Sequence, residues 1–105
     1  MFEKELTECQ NLTLYVNKAI ADFYDNTDEN NKRHYLEVAV TKLSLLLTFL
    51  VQFRHQVLLQ QQTMTSSQKI IANNLLNELK IQQDAFKSVS YNLTAIMYTS
   101  KENSQ

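Results

Sequence analysis

The chain has 105 residues, of which 44% are hydrophobic and 20% are charged, and its formal net charge is −1. It contains no glycine and no proline, the residues that supply the backbone angles of tight turns, so hairpin-rich sheets and glycine-rich nucleotide loops are disfavoured. The composition therefore predicts an all-α protein, and the length predicts a single helical domain over residues 1–105.

The first predicted element is an amphipathic helix over about residues 2–25. Its seam residues are spaced alternately by four and three, which places them on one helix face. They are Phe2, Leu6, Cys9, Thr13, Val16, Ile20 and Phe23. The polar segment 26–31 then favours a turn, and Asn26 followed three residues later by Glu29 predicts a cap for the second helix.

The second predicted helix, residues 29–62, is the most apolar element of the chain. Seven of the nine residues from Leu43 to Val51 are apolar. A helix that is apolar on nearly all sides has to be covered on more than one side, so this helix is predicted to be central or to lie in an oligomer interface. Its uncharged run, Leu43 to Phe53, is shorter than the roughly 20 residues of a membrane span, which predicts no transmembrane segment.

The third predicted helix covers residues 66–99, with a frayed tail after it. Thr65 and Gln68 have the spacing of a capping box at its start, and a heptad seam continues from Ala72 to Ile96. Short connections make neighbouring helices antiparallel. The sequence therefore predicts an up-down-up antiparallel three-helix bundle with long second and third helices and coiled-coil-like packing. The acidic first helix and the basic second helix are expected to pair modestly.

No catalytic, cofactor or metal site is predicted, so we expect a protein that is not an enzyme. Cys9 lies on an apolar seam beside Glu8, where a neighbouring carboxylate disfavours the reactive thiolate. His34 and His55 would lie about 31 Å apart on one continuous helix, too far to share a metal ion. The chain also lacks the basic stripe of a nucleic-acid-binding protein. The acidic N-terminal segment and the single cysteine predict a cytoplasmic protein.

The C-terminal tail carries one motif, because Tyr98 and Glu102 form Tyr-x-x-x-Glu after a long helical hairpin. In this respect the chain resembles type VII secretion substrates of the WXG family. The resemblance covers the size, the helicity and these two residues, and the family's Trp-x-Gly is absent from the turn at residues 63–67. It implies a secretion-like helical hairpin substrate or the partner of one.

The pattern as a whole predicts a helical protein–protein interaction module: a subunit, an adaptor or a dedicated chaperone. A small helical immunity or inhibitor protein is the alternative that the residues leave open. The first helix is shorter than the second, which predicts a groove for a partner helix. The second helix is also more apolar than one seam requires, which predicts association as a homodimer or heteromer built on this excess. The residues of the excess are Leu43, Leu45, Leu46, Phe49 and Val51. The predicted partner-binding residues are Leu46, Phe49, Leu50, Phe53, Val57, Leu58, Ile70, Ile71 and Leu75.

Overall fold

The computed structural model describes residues 1–103, with side chains for residues 1–99, and contains three α-helices. These are α1 (Glu3–Asp25), α2 (Glu29–Gln61) and α3 (Ser66–Asn103), and no strand occurs within residues 1–103. The predicted three-helix fold is confirmed. The prediction that the last helix ends near Thr99 is wrong, since α3 continues to Asn103. No helix-breaking glycine or proline stands there to stop it.

The first two helices form an antiparallel pair. At one end the ring of Phe2, which precedes α1, packs against Phe53 near the end of α2, with 5.8 Å between the ring centroids. At the other end the Nζ atom of Lys32 lies 5.3 Å from the centre of the Phe23 ring. The start of α1 thus lies beside the last turns of α2.

Helix α3 folds back along α2. Arg54 donates from Nη1 to Oε1 of Gln83 at 3.0 Å, and Gln61 donates from Nε2 to Oδ1 of Asn73 at 2.5 Å. Helix α2 contacts both of its neighbours, whereas no Cα atom of α1 comes within 8 Å of one in the described part of α3. The radius of gyration is 17.0 Å, against about 13 Å for a compact domain of this length. The bundle is therefore elongated and built around α2.

The hydrophobic core lies on the side of α2 that faces α1 and α3. Among the described residues, every buried side chain is apolar or the Cys9 thiol. Helix α2 contributes almost half of this core, and its buried residues are Leu36, Ala39, Leu43, Leu46, Leu50, Phe53 and Val57. Their three- and four-residue spacing places them on one face of the helix. The prediction that α2 is the central element is therefore correct.

The two turns use side-chain caps in place of glycine. Asp28 is the N-cap of α2 and accepts from the backbone N–H of Asn30 at 3.0 Å. The predicted Asn26–Glu29 cap is wrong, because Asn26 instead accepts from the backbone N–H of Asp28 and closes the preceding turn. The second predicted cap is confirmed. Thr65 accepts from the Gln68 backbone at 3.2 Å and Gln68 accepts from the Thr65 backbone at 3.0 Å.

Ion pairs do not join α1 to α2 among the described side chains. The one ion pair there links the amino group of Met1 to Glu3, within the first turn. Two α2 lysines lie instead over aromatic rings of α1, and the second of these contacts places Lys42 Nζ 5.9 Å from the Tyr15 ring centre. The expected pairing of acidic α1 with basic α2 side chains is therefore not seen among the described residues, and cation–π contacts join the two helices instead.

Candidate interaction surface

The most unusual surface of the molecule is the solvent-facing side of α2, which we call the outer face of α2. It consists of the exposed residues between positions 43 and 59. They are Ser44, Leu45, Thr48, Val51, Gln52, His55, Leu58 and Leu59. None of them is an aspartate, glutamate, lysine or arginine. The four apolar members are 47–56% exposed, so this surface presents large aliphatic side chains to solvent.

The one arginine in this part of α2 is directed away from the outer face. Arg54 is half-buried and bonded through Nη1 to Gln83 on α3. Its Nε atom is buried and has no hydrogen-bond partner among the described residues. The last charged residue before it, Lys42, contacts Tyr15 on α1. The outer face of α2 therefore stays free of permanent charge although charged residues stand beside it in the sequence.

The middle of α3 differs from the outer face of α2 in charge. A segment of α3 that is shorter than the outer face carries four charged, exposed side chains. These are Glu78, Lys80, Asp84 and Lys87. Exposed apolar side chains that occur singly are normal on soluble proteins, whereas several of them together on one uncharged helix face indicate an interaction surface.

Helix α2 is also the element that meets a membrane-span criterion. An 18-residue window within it has a mean hydropathy of 1.6, and 33% of that window is buried. By length and composition alone it is apolar enough to cross a bilayer, a test that the core helix of a soluble protein also passes. The absence of a transmembrane segment therefore stays a prediction.

Four of the predicted partner-binding residues lie in the protein's own core. Leu46, Leu50 and Val57 are fully buried, and Phe53 is 2% exposed. The expectation that Phe53 and Val57 line an open groove is wrong. The ring of Phe2 covers Phe53, and Val57 belongs to the same core as Ala72 of α3.

The ring of Phe2 fills this groove, and the backbone of Phe2 is strained in that position. Its φ angle is 63°, in the left-handed region, where a bulky side chain is disfavoured. No side-chain cap compensates for the strain at this helix start. Burial of the ring, which is 8% exposed and packed on Phe53, is the interaction that offsets it.

The other predicted binding residues lie on different parts of the surface. Ile71 and Leu75 line a depression of about 270 Å³ together with Phe2 and Leu6, between the starts of α1 and α3. Ile70 is exposed on the first turns of α3, and Phe49 is half-buried on α2. Leu58 alone among the nine lies on the outer face of α2. The structure thus does not bring the predicted set together as one groove.

Sequence reasoning missed Leu59, and it placed Leu45 and Val51 in the apolar excess predicted to mediate association but not in the predicted groove. A signal was present, since Leu45, Gln52 and Leu59 are spaced by seven and repeat on one helix face. Leu45, Gln52 and Leu59 lie on a different side of the helix from the apolar seam through Leu46, Leu50 and Val57, so they are not part of the core. Searching for apolar residues opposite the seam would have found Leu59 as well.

No group of three His, Cys, Asp or Glu residues lies together so as to hold a metal ion among the described residues. Burial raises the pKa of the Cys9 thiol, although a hydrogen bond with Thr13 acts in the opposite direction. The thiol also donates to Gln82 at 3.7 Å. Tyr98 is exposed, and the side chain of Glu102 lies outside the described residues.

Comparison with family models, with curated proteins and with solved structures finds no match to the chain.

Proposed function

We propose that the protein is a non-enzymatic helical interaction module whose docking surface is the outer face of α2. The proposal is carried by one observation: the turns of α2 that expose aliphatic side chains to solvent expose no lysine, arginine or carboxylate. As a subunit, adaptor or dedicated chaperone, the protein would act by covering this surface with a partner helix.

The energetics favour a covered surface over a bare one. Each exposed leucine or valine here keeps about half of its side chain in water, and fully burying such a side chain contributes roughly 1.5–3 kcal/mol. A partner would bury the remaining halves of four such side chains without desolvating any lysine, arginine or carboxylate of this surface. The absence of a charge-desolvation penalty distinguishes the outer face of α2 from the middle of α3, where lysine and carboxylate side chains are exposed.

Site-specific photo-cross-linking in the native host tests this proposal. A photo-reactive benzoylphenylalanine replaces Gln52 at the centre of the outer face, and in a matched variant it replaces Asn92, an exposed polar residue of α3. We expect a discrete polypeptide adduct from position 52 and none from position 92. The adduct should disappear when Leu59→Lys is added, because the new charge would be buried against the partner.

Two outcomes contradict the proposal. Equal adducts from both positions would show that the outer face of α2 has no special role in binding. Cross-links from position 52 to lipid alone, together with flotation of the protein on lipid vesicles, would show that the surface contacts a bilayer.

A further inference from the structure

We infer that the partner of the outer face of α2 is an acidic amphipathic helix, whose aspartate or glutamate side chains pair with basic residues where this face borders α3. The inference rests on the proposed function and names the chemistry of the partner on the same surface. Two features support it: the basic residues at this border have no acidic partner, and most carboxylates of the described chain lie elsewhere.

Two lysines lie on the side of α3 that faces α2. Asn73 marks this side, because its Oδ1 atom accepts from Gln61 of α2. Lys80 and Lys87 follow Asn73 at intervals of seven residues, which places them on the same side of α3, and both are exposed. Lys87 lines a depression of about 360 Å³ between the two helices. Its other lining residues are Leu47, Thr48, Val51, Gln52 and Gln83, of which three belong to the outer face of α2.

Arg54 adds a third positive charge at the same place. Its Nη1 atom donates to Gln83, which lines the depression, and its Nε atom is buried without a hydrogen-bond partner among the described residues. We call Arg54, Lys80 and Lys87 the basic border. None of the three forms an ion pair with a described residue, since the one ion pair there lies at the start of α1. Arginine is well suited to pair with carboxylates, so the basic border can accept acidic side chains from a partner.

The carboxylates of the described chain lie mostly away from the basic border. Helix α2 has none between residues 38 and 61, whereas α1 carries five. Within residues 66–99, Glu78 lines a different depression together with Phe2 and Leu6, on the side of α3 that faces α1. Asp84 is the one carboxylate of α3 within a turn of the two border lysines. An acidic partner is therefore attracted to the α3 edge of the outer face and repelled by α1.

The aliphatic residues of the outer face favour a helix over a nucleic acid as the acidic partner. Three basic residues with a carboxylate beside them offer few phosphate contacts, and such contacts supply most of the affinity for nucleic acids. Exposed leucine and valine side chains match the apolar face of an amphipathic helix instead. Such a helix would bury its apolar face on α2 and place its acidic edge beside α3.

Fluorescence anisotropy with three labelled peptides tests the inference on the full chain. Each peptide is an amphipathic helix of about 20 leucine, alanine and glutamine residues, and the peptides differ only in whether three edge positions hold glutamate, glutamine or lysine. At low salt the glutamate peptide should bind the parent about tenfold more tightly than the glutamine peptide, because only the glutamates pair with the basic border. The lysine peptide should bind most weakly, and added salt should reduce these differences.

Charge variants at exposed positions locate the effect. Lys87→Glu should abolish the preference for the glutamate peptide, whereas Asp84→Asn should tighten its binding about twofold, because a like charge beside the border is removed. Lys18→Glu, on an exposed lysine of α1, makes the same change in net charge as Lys87→Glu and should leave the preference unchanged. Circular dichroism verifies that the variants keep their helix content.

Several results would overturn the inference. They are failure of the glutamate peptide to bind at about 1 mM, equal affinity for the glutamate and lysine peptides, and equal losses from Lys87→Glu and Lys18→Glu. Single-stranded DNA that binds more tightly than the glutamate peptide and depends on Lys87 would identify a nucleic acid as the partner and would also refute it.

This result is separable from the test of the proposed function. If the cross-linker at Gln52 captures a polypeptide and Lys87→Glu leaves the yield of the adduct unchanged, the docking surface stands and the acidic partner is refuted. If the cross-linker captures nothing and no peptide binds, both the surface and its partner are refuted.

Discussion

Replacing Leu50 with alanine tests the central position of α2 most directly. Leu50 is fully buried, and the substitution removes three carbon atoms, for which transfer to water accounts for about 0.8 kcal/mol each. The cavity left between α2 and its neighbours adds a further term, so the free energy of unfolding should fall by about 3–5 kcal/mol. A domain of this size has a total stability of only about 5–15 kcal/mol, so the loss would be a large share of it.

Leu14→Ala on α1 makes the same chemical change at a leucine that is 67% exposed. It should lower the free energy of unfolding by less than about 1 kcal/mol, because little of its side chain leaves a packed environment. Urea unfolding followed by circular dichroism at low protein concentration gives both values. A loss below about 1 kcal/mol for Leu50→Ala, or equal losses for the two variants, would refute the described packing of α2.

Two further predictions concern the turns and the thiol. Asp28→Ala and Thr65→Ala should each lower the free energy of unfolding by about 1 kcal/mol in the same urea assay, because each removes a helix cap. An unchanged transition midpoint for either variant would contradict the role of that cap. Cys9 should react with a disulfide reagent at pH 8 more slowly in the native protein than in denaturant, since burial raises its pKa. Because the native thiol holds its proton to higher pH, its contribution to stability is full below the unfolded pKa of about 9 and decreases as the pH rises above that value. Equal labelling rates in the native and denatured chains would refute the buried position of Cys9.

Local periodicity accounts for most of what the sequence could predict. The spacing of the seams fixed which residues are helical, and the Thr65–Gln68 box depends on two residues three positions apart, so both were accessible without knowledge of the tertiary contacts. Part of the core of α1 followed in the same way, since Cys9, Val16 and Phe23 lie on the predicted seam. Leu6 of that seam is exposed, however, and the buried Ala19 was not part of it. These features are determined within a few turns of one helix.

The division of α2 into core and surface could not be predicted in the same way. From Leu43 to Val51 the helix is apolar on nearly all sides, so its sequence alone does not decide which side α1 and α3 cover. Leu46 is fully buried while the adjacent Leu47 is only partly buried, and Leu45 is exposed. The predicted groove was wrong at Phe53 for a related reason. Phe2 adopts a left-handed backbone conformation and its ring packs against Phe53, which fills the predicted groove. The spacing of apolar residues does not predict that backbone conformation.

The close backbone packing of α2 against both neighbours also bears on how the chain folds, since α1 and α3 meet only through side chains such as Cys9 and Gln82 among the described residues. Each pair of closely packed helices is a hairpin of consecutive helices, joined by a turn of only a few residues. Such a low contact order is typical of helical bundles that fold in microseconds to milliseconds. Either the α1–α2 or the α2–α3 hairpin can form first. In both cases α2 then presents an apolar face on which the remaining helix packs, so two folding pathways lead to the same native state.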